Sequence, residues 1–106
     1  MTLDELHLEL SDKIVDVAVE TTSVFARLSS CIVCRVADGI RFEPEGKDLL
    51  QSHRGAVEIN SDTIVSIDDI TGMDKDMPED MPYYQIITED DISIYVAVSD
   101  LQFLCI

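Results

Sequence analysis

The chain has 106 residues, with 22 Asp plus Glu against 7 Lys plus Arg and a formal net charge of -15 at pH 7. A field of that sign excludes direct binding of nucleic acid or anionic lipid and steers basic partners to the surface. Apolar residues make up 46% of the chain, too many for a disordered acidic tail, and its length suits one modest core.

A single domain over residues 1–106 is therefore expected. No apolar run approaches the ~20 residues of a membrane span. The N-terminus also lacks the basic start and apolar stretch of a signal peptide, so a cytoplasmic location is expected. Cys31, Cys34 and Cys105 are an odd number in a chain without an export signal, which points to reduced thiols.

The charge is uneven. Residues 1–20 hold six acids and Lys13, residues 21–57 are nearly neutral, and residues 58–106 hold twelve acids against Lys75 alone.

In chain order, Thr2 followed by Glu5 forms a capping box, and Leu3, Leu6 and Leu10 make one apolar stripe. A helix over residues 2–11 is expected. Residues 14–24 fit two periods. Ile14, Val17, Thr21, Val24 and Leu28 would continue the helical stripe, while Val15, Val17 and Val19 alternate with Asp16, Ala18 and Glu20. The density of β-branched side chains favours strands. Residues 31–36 and 40–43 flank Ala37, Asp38 and Gly39, a hairpin signal, with Pro44 and Gly46 ending the unit.

Val57 and Ile59 lead into a turn at Asn60, Ser61 and Asp62, and residues 63–67 resume alternation with Ile64 facing away from Val65 and Ile67. These two segments are expected to form another tight pair. Residues 71–82 hold Met73, Met77, Met81, two prolines and a run of acids, an exposed loop. Residues 83–88 and 92–98 form a last pair joined by Glu89, Asp90 and Asp91, with Ile92, Ile94, Val96 and Val98 on one face. Residues 101–106 are apolar enough to dock on the core as a terminal strand.

The fold class expected is mainly β (α+β): a short helix, a small, strongly bent antiparallel barrel or sheet over residues 13–70, the acidic loop, and a C-terminal hairpin over residues 83–106. The run from Lys13 to Glu20, Val24 to Leu28, the turn at Asp38 and Gly39, Ile40 to Phe42, and Val57 to Ile70 resembles the Sm-like and SH3-like small barrels. That resemblance implies an architecture in which a strand, a one-turn break and a closing strand complete the barrel, with the residues after Ile70 as an elaboration. Sm-like proteins commonly bind RNA through polar and basic loop positions, whereas the corresponding turn here, Asn60, Ser61 and Asp62, carries no base.

No catalytic, cofactor or metal motif stands out. Cys31 and Cys34 form a CxxC, but in a strand they point to opposite faces and Cys105, His7 and His53 lack ligand spacing. His53, beside Arg54 and Gly55, reads as a loop residue. Counted from Asp74, an EF-hand loop would need Gly and Glu where Glu79 and Gln85 stand. Met73, Met77 and Met81 recur every fourth residue, so one helical turn would align them opposite the acids, a docking stripe for a basic protein. The alternative is a loop packed on its own barrel.

The expected function is that of a non-enzymatic binding protein that occupies the cationic surface of a nucleic-acid-handling partner, such as a nuclease, with carboxylates in place of phosphates. Its partner surface is expected to comprise Asp68, Asp69, Asp74, Asp76, Glu79, Asp80, Glu89, Asp90 and Asp91, with Tyr83 or Tyr84 as an aromatic anchor. The alternative is an adaptor barrel that self-associates through an open strand edge, its acidity serving solubility.

Overall fold

The computed structural model describes residues 1–44 and 55–98. Helix α1 (Leu3–Leu10) is capped as the sequence requires. The Glu5 N–H donates to Thr2 Oγ1 at 3.2 Å, and the Thr2 N–H donates to Glu5 Oε1 at 3.1 Å. Both are N-terminal donors that the helix itself leaves unsatisfied. Leu3, Leu6 and Leu10 are buried in one stripe, which holds the helix on the core, and at its exposed edge Arg35 Nη2 meets Asp4 Oδ1 at 2.7 Å.

Seven strands follow: β1 (Val15–Glu20), β2 (Phe25–Val36), β3 (Gly39–Pro44), β4 (Val57–Asn60), β5 (Ile64–Asp69), β6 (Tyr83–Thr88) and β7 (Ser93–Val98). The β-branched alternation of residues 15–19 prevails over the helical stripe, because Val15 and Val17 can then enter the core while Asp16 and Ala18 face out. The strands form one antiparallel sheet in the order β4-β3-β2-β1-β7-β6-β5. Chain neighbours are sheet neighbours except β4 and β5, which stand at the two ends of the order, and β7 returns to β1, so the sheet curls as an up-and-down meander. Among the described residues its open seam lies between β4 and β5.

That topology corrects three expectations. β4 and β5 are not a hydrogen-bonded pair: the 3₁₀ turn Ser61–Thr63 between them spans the seam, and each strand pairs outward, with β3 and β6 respectively. The strand after that turn does not close on β1, because β7 occupies that place. The residues after Ile70 are consequently integral to the sheet rather than an elaboration of a smaller barrel.

Two bulges supply curvature. The two-residue step from Val15 to Val17 faces a three-residue step from Cys31 to Leu28, so β2 carries an extra residue. It is accommodated at Ser30, whose φ of 55° lies in the left-handed region and whose N–H donates to Asp16 Oδ1 at 2.9 Å. In β5 the extra residue lies between Ile64 and Ser66. This shift changes the side-chain phase, so Ile64 packs against the core with Ile67 and Val65 is left exposed, the reverse of strict alternation for Ile64.

The core sits inside the curl. All seven strands contribute to it, with Phe42, Leu6, Leu10, Ile40 and Ile86 among its fully buried side chains. Burial of each such side chain contributes about 1.5–3 kcal/mol. Gly39 does not serve the hairpin turn as the sequence suggests: it pairs with Val36, leaving Ala37 and Asp38 as the loop. A Cβ on Gly39 would lie 1.8 Å from the Ile59 carbonyl oxygen, so its role is to let β4 approach. Gly46, His53 and Arg54 and the expected terminal strand at residues 101–106, with Cys105, lie outside the described residues.

Candidate functional site

The outer face of the sheet carries a groove of about 380 Å³. Strand register explains it. Across β1, β7 and β6, one row of outward residues reads Asp16, Ala97, Tyr83, and the next reads Ala18, Tyr95, Gln85, with Arg27 of β2 beside Ala18. Two alanines in the middle of large neighbours leave a floor without walls of its own. Tyr83 and Tyr95 stack on one side, ring centroids 6.1 Å apart and planes at 26°, and Phe25, Arg27 and Glu20 line the other. Gln85 Nε2 donates to the Tyr95 hydroxyl at 3.3 Å, fixing that ring.

The loop over residues 70–82 closes one end. It is three successive turns, not one helical turn, and each methionine ends one of them. The Met73 N–H donates to the Ile70 carbonyl at 3.0 Å, Met77 to Asp74 at 3.2 Å, and Met81 to Pro78 at 3.2 Å. The four-residue recurrence of methionine is thus the repeat of the turns, and the three side chains do not form one stripe. Met77 and Asp74 line the groove, whereas Met73 is exposed. The neck of the loop is clasped: Thr71 donates its hydroxyl to Asp69 Oδ1 at 2.6 Å and its N–H to the same oxygen at 3.0 Å.

The nine acids expected to form a partner surface are all exposed, but they do not form one cluster. Asp68, Asp69, Asp74, Asp76, Glu79 and Asp80 gather around the end of β5 and the loop, at the end of the sheet where β6 begins. Glu89, Asp90 and Asp91 form the β6–β7 turn at the other end of β6, roughly 17 Å away along a six-residue strand. There the Glu89 N–H donates to the Thr63 carbonyl at 2.9 Å, and Asp91 adopts a φ of 59°.

The two candidate anchors also separate. Tyr84 points inward and is 5% exposed, so its ring is core and not a contact surface; Tyr83, one residue earlier, is half-buried on the outer face. Burial raises the Tyr83 phenol pKa, with the Asp74 carboxylate and Tyr95 adding to the shift. Burial likewise raises that of Tyr84, reinforced by the Asp69 and Glu9 carboxylates. The two hydrogen bonds from Thr71 hold the Asp69 carboxyl below the usual range.

Cys31 is buried in the core and Cys34 lies on the outer face. Burial, with Glu43 nearby, pushes the Cys34 thiol pKa up, the opposite of what a nucleophilic cysteine needs.

Phe25, Ala18, Arg27, Tyr95 and Ala97 were not expected at a site. Their signal was present in the outward phase of the strands: Tyr95 and Ala97 alternate with buried Ile94 and Val96, so they are apolar residues on the face that should be polar.

No family model, curated protein or solved structure matches the chain. No helix among the described residues is long and apolar enough to cross a membrane.

Proposed function

We propose that this chain is a non-enzymatic acidic binding protein of the cytoplasm that occupies the cationic surface of a nucleic-acid-handling partner, its carboxylates standing where phosphates would. The observation that carries this reading is the placement of six exposed carboxylates around one end of a sheet whose outer face also presents a half-buried aromatic groove. Charge draws a basic partner in, and the apolar floor supplies area that can be desolvated on contact. In charge and size the chain resembles anti-defence inhibitors and the immunity proteins of nuclease toxins.

Self-association through an open edge has less support. β4 is four residues long and β5 is bulged at the seam, both features that blunt edge pairing.

The test is competition. A nuclease or other DNA-binding protein encoded beside the gene is loaded with a fluorescent duplex, and this chain is added while anisotropy is followed. Displacement of the duplex is expected, with an affinity that falls steeply as salt rises from about 50 to 300 mM. Association that leaves the duplex bound and is indifferent to salt would replace this reading with the adaptor.

A further inference from the structure

We propose that the groove between Tyr83, Tyr95 and Phe25 is the seat for an arginine side chain presented by the partner. This inference rests on the acidic-binder reading and names the chemistry its central contact selects. Three carboxylates line the groove, Asp16, Glu20 and Asp74, against one guanidinium, Arg27. A neutral apolar ligand would leave that excess of negative charge uncompensated at a partly dry surface, whereas a cation on an apolar stem meets both halves of the site.

Arginine fits better than lysine for two reasons. Its guanidinium is planar and weakly hydrated, so it can lie against a tyrosine face while keeping in-plane N–H groups for carboxylates, and an ammonium cannot do both. The groove also has the matching shape. Ala18 and Ala97 leave a floor one side chain deep, and along β1 the distance from Asp16 to Glu20 is about 13 Å, enough for an extended arginine side chain with a carboxylate toward either end. Arg27 is exposed on the same row as Ala18 and Tyr95 and makes no ion pair among the described residues, so it acts as a like-charge competitor at the rim.

The test uses hexa-arginine and hexa-lysine peptides, titrated into the full chain at low salt and followed by calorimetry and by amide chemical shifts. Hexa-arginine is expected to bind about five-fold or more tightly than hexa-lysine, with shifts concentrated at Ala18, Tyr95 and Ala97. Ala18→Leu fills the floor from the outer face and should abolish the preference while leaving weak binding of both peptides. Tyr95→Leu should do the same, with native amide-shift dispersion retained in both variants to show that the fold is intact, and Arg27→Gln should tighten hexa-arginine binding. Equal affinity for both peptides, with shifts confined to residues 74–80, would overturn the groove and leave the acidic surface standing. Binding of neither peptide would overturn both.

Discussion

The Tyr83 N–H donates to the Thr71 hydroxyl at 3.1 Å, and that hydroxyl donates in turn to Asp69 Oδ1. One threonine therefore ties the end of β5 to the start of β6 across the neck of the acidic loop. Because the loop supplies Asp74 and Met77 to the groove, this small clasp sets how the acidic end and the aromatic face meet.

Thr71→Val keeps the shape of the side chain but removes the hydroxyl. It should cost about 1 kcal/mol in urea denaturation, the usual net value of a hydrogen bond, and should accelerate hydrogen exchange at the Tyr83 amide. Unchanged exchange at that amide would show that the Ile70–Tyr83 backbone hydrogen bond, 2.8 Å long, holds the neck without it.

Acid titration reads the same clasp. The Asp69 carboxyl is held low by its hydrogen bonds from Thr71, and Glu5 by those of the capping box. A carboxyl whose folded pKa lies below its unfolded one contributes stability that is fully present above the unfolded value and is lost as pH falls through the folded one. The stability difference between wild type and Asp69→Asn should therefore be constant at neutral pH, begin to shrink near pH ~4, the unfolded value, and vanish only once pH has fallen below the lowered folded value. A difference that grew on acidification would contradict the assigned hydrogen bonds.

The adjacent tyrosines offer a direct check on which face each occupies. Tyr84→Ala empties a core position and should cost about 3–5 kcal/mol, whereas Tyr83→Ala removes an outer-face ring and should cost much less. The order of the two melting temperatures decides it. Reversal would mean that β6 is turned by one residue, which would expose every side chain now in its core row.

Local signals were legible wherever one physical requirement dominated: the Thr2–Glu5 cap, the β1 alternation, and the hairpin before β3 all lie where the residues indicate. What the residues did not reveal is pairing between segments distant in sequence. Val57 and Ile59 look like the partner of Ile64 and Ile67 because only a turn separates them, yet the β7–β1 pairing closes the sheet elsewhere and leaves that turn spanning a seam. Ile64 was misplaced by one bulge, which a period-two pattern cannot announce. The groove was missed because Ala18 and Ala97 matter there for what they lack, and their importance depends on Tyr83 and Tyr95 lying across the sheet from them.

Gly39→Ala tests the close approach of β3 and β4. The added methyl would overlap the Ile59 carbonyl oxygen, a backbone atom that no rotamer change can move aside. A loss of more than about 2 kcal/mol is expected, beyond the usual range for a surface turn glycine. Ser30→Gly should act oppositely and gain about 0.5–1 kcal/mol, since glycine accepts the left-handed backbone without the penalty a side chain carries and the Asp16 hydrogen bond to the backbone N–H is retained.

The last prediction separates the two acidic ends. Converting Asp74, Asp76, Glu79 and Asp80 to their amides removes charge beside the groove, while converting Glu89, Asp90 and Asp91 removes it at the opposite end of β6. Both variants should fold, and relief of self-repulsion should leave them as stable as wild type or slightly more so. The first should slow association with the basic partner and flatten its salt dependence more than the second, because it takes four carboxylates from beside the Tyr83 end of the groove, whereas the second takes three from the turn near the Glu20 end, where Glu20 pairs with Ser93. Glu9 and Asp69 both act on the Tyr84 phenol, so Glu9→Gln should add to the effect of the first set, whereas Asp62→Asn, in the turn between β4 and β5, should not. Equal slowing by both sets would mean that the partner reads net charge alone, and the groove would then have no part in recognition.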